Sequence, residues 1–402
     1  MKILLLTQWF DPEPTFKGLL FAQALREEGH EVEVLTGFPN YPGGKVYEGY
    51  KISAYQKDIV DGITIHRAPL YPSHDGSAVK RILNYTSFAI STFFIGLIKT
   101  RNIDVIYSYH PPLTTSLSAL LLGFFKRVPF VVDIQDLWPE TLSATGMLRN
   151  QRALSIVGKV CDFVYKRAAK IIVLSPGFKS RIESRGISKD KIEIIYNWCN
   201  ESALNNFESS EIRLPSNGNL NIVFAGNLGL AQGLPAIVDT AEILQKNSIE
   251  VNIVLLGDGV AKEDAIRDAD EKLLKNIFFL PRVSMQQVGG ILAQADMLLV
   301  HLTNNELFNI TIPSRTQASL AMGKPIVMGV SGDAADLINR SNAGVTCEPN
   351  NSISLADAII KLAELTECQR IEMGENGRNY YYEELSLEIG VKKFTRIFKD
   401  VI

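Results

Sequence analysis

The sequence predicts an α/β chain of two domains, each built on a doubly wound, mostly parallel sheet, and three observations predict it. At 402 residues the chain is longer than a single hydrophobic core usually serves. Short apolar runs of strand length alternate with helix-period segments almost from end to end, the pattern that right-handed crossovers between parallel strands require. That alternation breaks once, between Glu201 and Asn219, where the text turns polar and contains Pro215, Asn217 and Gly218.

The first domain is read as residues 1–200. It opens with a strand at Lys2 to Leu6, a Pro/Gly-containing loop, a helix at Leu19 to Glu28 and a second apolar strand at Val32 to Leu35. Further strands follow at Asp104 to Tyr107, Pro129 to Asp133, Lys170 to Leu174 and Ile192 to Tyr196. The polar stretch after Asn200 is taken as the linker, and a second Rossmann-like domain, 201–386, is then built on strands at Leu220 to Phe224, Val251 to Leu255, Ile277 to Phe279, Met297 to His301, Pro325 to Met328 and Gly344 to Thr346. The last segment, 387–402, is an amphipathic helix whose Val391, Phe394 and Ile397 share one face, able to pack back on the first domain.

Composition bounds the partners. Hydrophobic residues at 46% and charged residues at 21% are a globular balance, and a net charge of −3 offers no general attraction to nucleic acid, so none is expected as a partner. Cys161, Cys199, Cys347 and Cys368 are widely spaced without zinc-site spacing, which suits a reducing, cytoplasmic compartment. The apolar run at Met1 to Thr7 is too short for a signal peptide. The run from Phe88 to Ile98 is interrupted by Ser91 and Thr92 and bounded by Lys99 and Arg101, short of the roughly 20 residues of a spanning helix.

The chemistry-bearing residues gather at predicted strand ends. In the second domain the first strand runs into Gly226-Asn227-Leu228-Gly229 and on to Gln232-Gly233, and the next into Gly257-Asp258-Gly259. Two glycine turns at the ligand-binding edge of an open sheet favour a nucleotide, although a single one would read as a plain tight turn. Arg282-Val283 follows the third strand, where the arginine either meets a nucleotide or faces solvent. Pro313 and Ser314 open a helix ahead of Arg315, and its free N–H groups and positive end suit a diphosphate; a well-capped ordinary helix is the alternative. In the first domain the loop after strand one offers Glu13, Lys17 and Gly18, with a proline-stiffened loop as the plain reading. His110 ends another strand and is a candidate contact for the acceptor or donor sugar, with the structural role that a lone histidine more often has as the alternative.

The series Gly226-Asn227, Gly257-Asp258-Gly259, Arg282-Val283, Pro313-Ser314-Arg315 and Gly323-Lys324-Pro325, in that order, resembles the donor-binding half of GT-B glycosyltransferases of family 4, and the likeness runs along nearly the whole chain. The resemblance implies two Rossmann-like domains facing a cleft, a nucleotide-sugar donor as substrate without a separate cofactor, and retention at the anomeric carbon with no required metal. Ile310 and Ala318 stand where the family carries a pair of glutamates, and Asn227 and Gln232 where it carries an arginine and a lysine against the diphosphate. Arg315, Arg282 and the helix N-terminus are then left to share the anion's charge. More narrowly, Trp9 to Gly18, Gly37 to Gly44, Asp136 to Glu140 and Pro313 to Ala318 are similar to the WbuB-type transferases of bacterial O-antigen and capsule assembly, which also lack the second glutamate. That likeness implies transfer of N-acetyl-L-fucosamine from its UDP donor to a lipid-diphosphate-linked saccharide.

Such a transfer calls for a carboxylate or histidine near the acceptor hydroxyl, and the candidates are Asp136, Glu140 and Glu13, in that order. Gln135 and Asp136 occupy the place where many family members have a sugar-contacting histidine. Lys80-Arg81, Lys99, Arg101 and Lys126-Arg127 flank the apolar stretches Phe88 to Ile98 and Leu117 to Phe125. These form either a face for an anionic membrane or two buried helices with solvated ends, and burial is the expectation for the apolar sides. A UDP-sugar 2-epimerase and a non-catalytic nucleotide-sugar-binding protein are the competing functional classes.

Overall fold

The computed structural model describes residues 1–73, 78–208 and 210–402. The chain divides into two compact units, Met1–Tyr196 with Leu387–Ile402, and Asn197–Ser386.

Unit 1 is an eight-stranded sheet. Its strands are β1 (Lys2–Leu6), β2 (Glu31–Gly37), β3 (Gln56–Val60), β4 (Ile63–Ala68), β5 (Val105–His110), β6 (Phe130–Ile134), β7 (Lys170–Val173) and β8 (Ile192–Ile194), in the spatial order β3-β4-β2-β1-β5-β6-β7-β8. All neighbours are parallel except β3 and β4. The central strands β5 and β6 are buried along their whole length, as a sheet covered on both faces demands. The β3-β4 hairpin has no counterpart among the strands expected from the sequence, because β3 is mostly exposed and carries Lys57 and Asp58 where an apolar alternation would be sought.

Three of the helices that pack on this sheet are α1 (Leu19–Glu27), α2 (Ala78–Lys99) and α3 (Leu113–Lys126). α2 buries Asn84, Phe88, Thr92 and Gly96, a four-residue spacing that keeps one stripe against the sheet. At Gly96 a Cβ would come within 2.8 Å of Leu122, so α2 and α3 pack closely at that point. The C-terminal helix Leu387–Val401 returns to unit 1 and buries Phe394 beside Phe21 and Tyr107, with ring centroids 5.0 and 5.8 Å away.

Unit 2 is a six-stranded, wholly parallel sheet of β9 (Leu220–Asn227), β10 (Val251–Asp258), β11 (Ile277–Leu280), β12 (Met297–His301), β13 (Ile326–Gly329) and β14 (Gly344–Thr346), ordered β11-β10-β9-β12-β13-β14. Ile222, Phe224, Ile253, Leu255 and Leu299 form its core with the helices on the faces. The polar stretch read as a linker begins inside this unit: Glu201–Asn205 is a short helix capped by the Asn200 side chain. The Tyr381 hydroxyl donates to Glu201 at 2.8 Å and accepts the Cys199 N–H at 3.1 Å, tying together the segments by which the chain enters and leaves unit 2.

Candidate functional site

In unit 2 the ends of β9 and β10 stay in register, with Gly226 opposite Gly257. Gly257 has a φ of 150°, and a Cβ there would lie 1.9 Å from the Gly226 carbonyl oxygen, so only glycine lets the two strand ends close together. The loops beyond are cross-tied: the Leu228 N–H donates to Asp258 O at 2.8 Å, and Leu228 O accepts from the Ala261 N–H at 3.0 Å. The Asn227 amide occupies the space a side chain at Gly229 would fill, and the Leu228 carbonyl, with that amide behind it, the space at Gly259. Those two glycines therefore shape the loop as well as leaving backbone bare.

Arg315 is the second residue of the helix Ser314–Ala321, which follows Pro313 as its cap. Its guanidinium carbon lies 4.2 Å over the Phe224 ring, and its Nη2 reaches within 3.2 Å of the position a Gly226 Cβ would take. Among the described residues no carboxylate pairs with it, and Nη1 has no hydrogen-bond acceptor. Burial lowers its pKa to about 10, which leaves it charged at neutral pH. A cation held without a counter-charge, at a strand end and beside free helix N–H groups, is an arrangement that an anion completes. Arg282, after β11, is exposed and makes no ion pair among the described residues, while Val283 beside it is half-buried.

In unit 1 the turn after β6 carries Asp136. No hydrogen bond or ion pair holds its carboxylate among the described residues, and burial raises its pKa to about 6. It lies near Tyr85 and Tyr109: after the larger effect of burial, its charge helps to keep both phenols protonated. Trp138 stands 6.2 Å from Tyr85 by ring centroids, and Trp9 stands 4.9 Å from Tyr41. A carboxylate with a pKa close to neutrality, free of partners and set among aromatic rings, has the properties of a general base beside a sugar-sized ligand.

Comparison with known proteins bears on both units. Residues 19–198 match the family model described as a glycosyl transferase 4-like domain, and residues 206–380 match glycosyl transferases group 1. The chain is a GT-B glycosyltransferase. It is 26% identical over 341 residues, 80% of this chain and 82% of the other, to WcaI of Escherichia coli (strain K12), named as a putative colanic acid biosynthesis glycosyl transferase. It is 23% identical over 311 residues, 76% of each chain, to WbjE of Pseudomonas aeruginosa, named as a probable glycosyltransferase. Among solved structures it superposes with TM-score 0.66 on Anabaena HepE in complex with UDP and glucose, at 17% identity over 99% of both chains. Sucrose-phosphate synthase from Thermosynechococcus elongatus gives TM-score 0.69 at 14% identity, over 100% of this chain and 98% of the other.

Within this glycosyltransferase several residues read from the sequence as ligand contacts are already committed elsewhere. His110 is wholly buried, with its ring edge-on to Trp138 and Tyr165 at 5.6 and 6.0 Å, and burial, reinforced by Arg185, lowers its pKa to about 3. It is neutral and enclosed, and neither ring nitrogen has a hydrogen-bond partner among the described residues. Glu13 is equally occupied: Oε1 accepts the N–H groups of Asn40 and Tyr41, both at 2.7 Å, and Oε2 that of Phe10 at 3.2 Å. That carboxylate clamps two loops and has little capacity left for an acceptor proton, even though burial raises its pKa. Glu140 begins the helix Glu140–Ala144 with Oε2 3.9 Å from Arg185.

Lys17 is enclosed rather than open to a donor. Its ammonium lies 5.4 Å from the Phe394 ring centroid, and burial lowers its pKa to about 8 against the opposing pull of Asp133. Gly18 caps α1, but the anion at that helix end is the protein's own: Asp11 accepts the Leu19 N–H at 2.6 Å, and its carboxylate fills the space a Gly18 Cβ would need. Gln232 turns inward, its side chain accepting the Gly229 N–H at 3.0 Å and its carbonyl lying 2.7 Å from His301 Nδ1.

His301 was not legible as a site residue. Its Nε2 accepts the Asn350 N–H at 3.2 Å, which fixes the proton on Nδ1 and lets the neutral ring staple the first glycine loop to the end of β12. Lys262 was also missed. Its Nζ donates to Gly257 O at 2.9 Å, so this positive charge stands at the second glycine turn.

Proposed function

We propose that this glycosyltransferase is a retaining enzyme that moves a sugar, N-acetyl-L-fucosamine, from its UDP donor to a lipid-diphosphate-linked saccharide in O-antigen or capsule assembly. It works in the cytoplasm at the inner face of an anionic membrane, without a metal or separate cofactor. Asp136 carries this reading. An anion site at Arg315 would serve a transferase, an epimerase or a binding protein alike, whereas an unpartnered carboxylate with a pKa of about 6 among Tyr85, Tyr109 and Trp138 suits the proton of an acceptor hydroxyl.

In the proposed step the acceptor hydroxyl approaches the anomeric carbon on the face from which UDP departs, so that configuration is retained, and it gives its proton to Asp136 as its oxygen bonds to that carbon. The bond from that carbon to the β-phosphate oxygen breaks, and UDP leaves with the electron pair. Arg315 and the N-terminus of the helix Ser314–Ala321 take up the charge that develops on the diphosphate. The Anabaena HepE structures, which pair that fold with UDP and with UDP-glucose, support the choice of a UDP donor.

The test is mass spectrometry of purified protein with UDP-N-acetyl-L-fucosamine and a lipid-diphosphate N-acetylglucosamine acceptor, with and without acceptor. A new disaccharide that Asp136→Asn abolishes is the expected result. Conversion of the donor without acceptor would replace this reading with epimerisation, and UDP binding without turnover of any donor tried would replace it with a binding protein.

A further inference from the structure

We propose that the exposed faces of α2 and α3 form one docking surface for an anionic lipid leaflet, on which the protein lies side-on. The inference deepens the membrane-associated reading above and rests on it only for the identity of the acceptor. By length and composition α2 is apolar enough to cross a membrane. Its place in the fold is different: Phe88 and Thr92 are wholly buried, and the Asn84 side chain is hydrogen-bonded to Gln8 and to the Tyr71 carbonyl. Spanning would strip these groups from the sheet, so what a bilayer can take is the opposite face.

That face is apolar and continuous. On α2, Ile82, Ile90, Phe94 and Ile98 are exposed on one side, Ile98 by 63%. On α3, Phe124 and Phe125 are exposed, Phe124 by 77%. Phe93 joins the two helices, with its ring centroid 5.1 Å from Phe94 and 5.6 Å from Phe125, and Phe125 meets Phe124 at 5.4 Å. The sequence-based expectation that these stretches are buried on their apolar sides therefore fails along the outer side of α2 and at Leu121, Phe124 and Phe125 towards the end of α3.

Charge selects the occupant. Neither helix contains an aspartate or glutamate, while cations lie at their ends: Lys80 and Arg81 early in α2, Arg101 after its close and Arg127 after α3, with Lys99 set over the Tyr55 ring and Lys126 donating to the carbonyls of Leu97 and Thr100. Arg101 and Arg127 are exposed. A second copy of the chain docked through this face would bring like charges together, whereas phosphate headgroups neutralise them and the acyl region receives the phenylalanines.

The experiment is co-sedimentation of the full-length protein with phosphatidylcholine vesicles and with vesicles containing phosphatidylglycerol, for wild type, Phe124→Ser/Phe125→Ser and Arg101→Glu/Arg127→Glu. Thermal melts serve as the folding control. Wild type should partition into the anionic vesicles roughly tenfold better than into the neutral ones, and each folded variant should lose roughly tenfold. Wild type that does not sediment, or folded variants that sediment like wild type, would overturn the proposal. So would a lipid-free dimer that the phenylalanine variant dissolves. Turnover of a short-chain soluble acceptor is followed in parallel: the variants should retain it, and its absence in wild type would count against the transferase reading while leaving the partition result intact.

Discussion

Arg185 holds Trp138 by its main-chain carbonyl, 2.8 Å from Nη1. The same guanidinium donates to Asp162 at 2.7 Å and to Gly158 O at 3.2 Å, and lies 5.4 Å from the Tyr165 ring centroid. One planar fork thus fixes, from behind, the turn that begins at Asp136, a task a lysine cannot copy. Arg185→Ala is expected to lower stability by about 2–3 kcal/mol, since it leaves a partly buried carboxylate and two partly buried carbonyls unsatisfied. It should reduce kcat at least roughly tenfold with UDP affinity unchanged, because the residues proposed to hold the donor lie in unit 2. Denaturant melts, steady-state kinetics and UDP calorimetry check this together; a fall in UDP affinity matching the fall in kcat would mean general damage rather than a positioning role.

Asp136 links activity and stability through one carboxyl group. As a base it must be ionised, so kcat/KM should rise with pH through about 6 and flatten above, and Asp136→Asn should remove both the rise and the activity. Stability runs the other way. The folded pKa of about 6 lies above the unfolded value near ~3.9, so the folded state binds this proton more tightly. The stabilisation is complete below about pH 4 and is lost as pH rises through about 6, a deficit of roughly 2–3 kcal/mol at pH 7. Asp136→Asn should therefore melt higher than wild type at pH 7 and alike at pH 4, and equal Tm values at both pH values would show that the carboxyl is not desolvated.

All the parallel strands but β4 were legible because each is a short apolar run between turn residues, and Lys2–Leu6 and Met297–His301 fall where the pattern put them. The β3-β4 hairpin escaped because β3 is mostly exposed, although its turn is spelled Asp61-Gly62, with φ values of 48° and 77°, a strong local signal for a hairpin. Glycine turns and Arg315 could be located from strand ends. What sequence could not reveal was which polar groups are already satisfied. Glu13 and Asp136 look alike in one dimension; among the described residues three backbone N–H groups occupy the first, and none the second. The outward turn of α2 and α3 was hidden for a related reason, since a run apolar on every side does not say which side faces the sheet.

Arg315 is a cost to the free protein, one that a donor bound as proposed would offset. Burial without a counter-charge disfavours its ionised form, as its lowered pKa records. Arg315→Ala should weaken UDP binding by about 1.5–3 kcal/mol, the loss of a charge-assisted contact, while leaving the melting temperature without UDP unchanged or higher. Arg315→Lys should recover part of the affinity, since it keeps the charge but not the planar stacking on Phe224. Unaltered UDP affinity in calorimetry of the alanine variant would remove Arg315 from the donor site.

Gly257 tests whether the bare strand ends are needed for the fold itself. A methyl group there must displace the Gly226 carbonyl, 1.9 Å away, and the backbone sits at a φ of 150° that alanine rarely adopts. Both effects act on the folded state, so Gly257→Ala should cost about 3 kcal/mol or more. The displaced atom is the carbonyl of Gly226, the residue beneath the Arg315 guanidinium, so UDP affinity should fall even in the fraction that remains folded. Gly43→Ala is the control: nothing lies within 4 Å of its added Cβ, and its stability should match wild type. If Gly257→Ala melted like Gly43→Ala and bound UDP normally, β9 and β10 would have to part at their ends without consequence, and the register of Gly226 against Gly257 would not be what shapes the donor site.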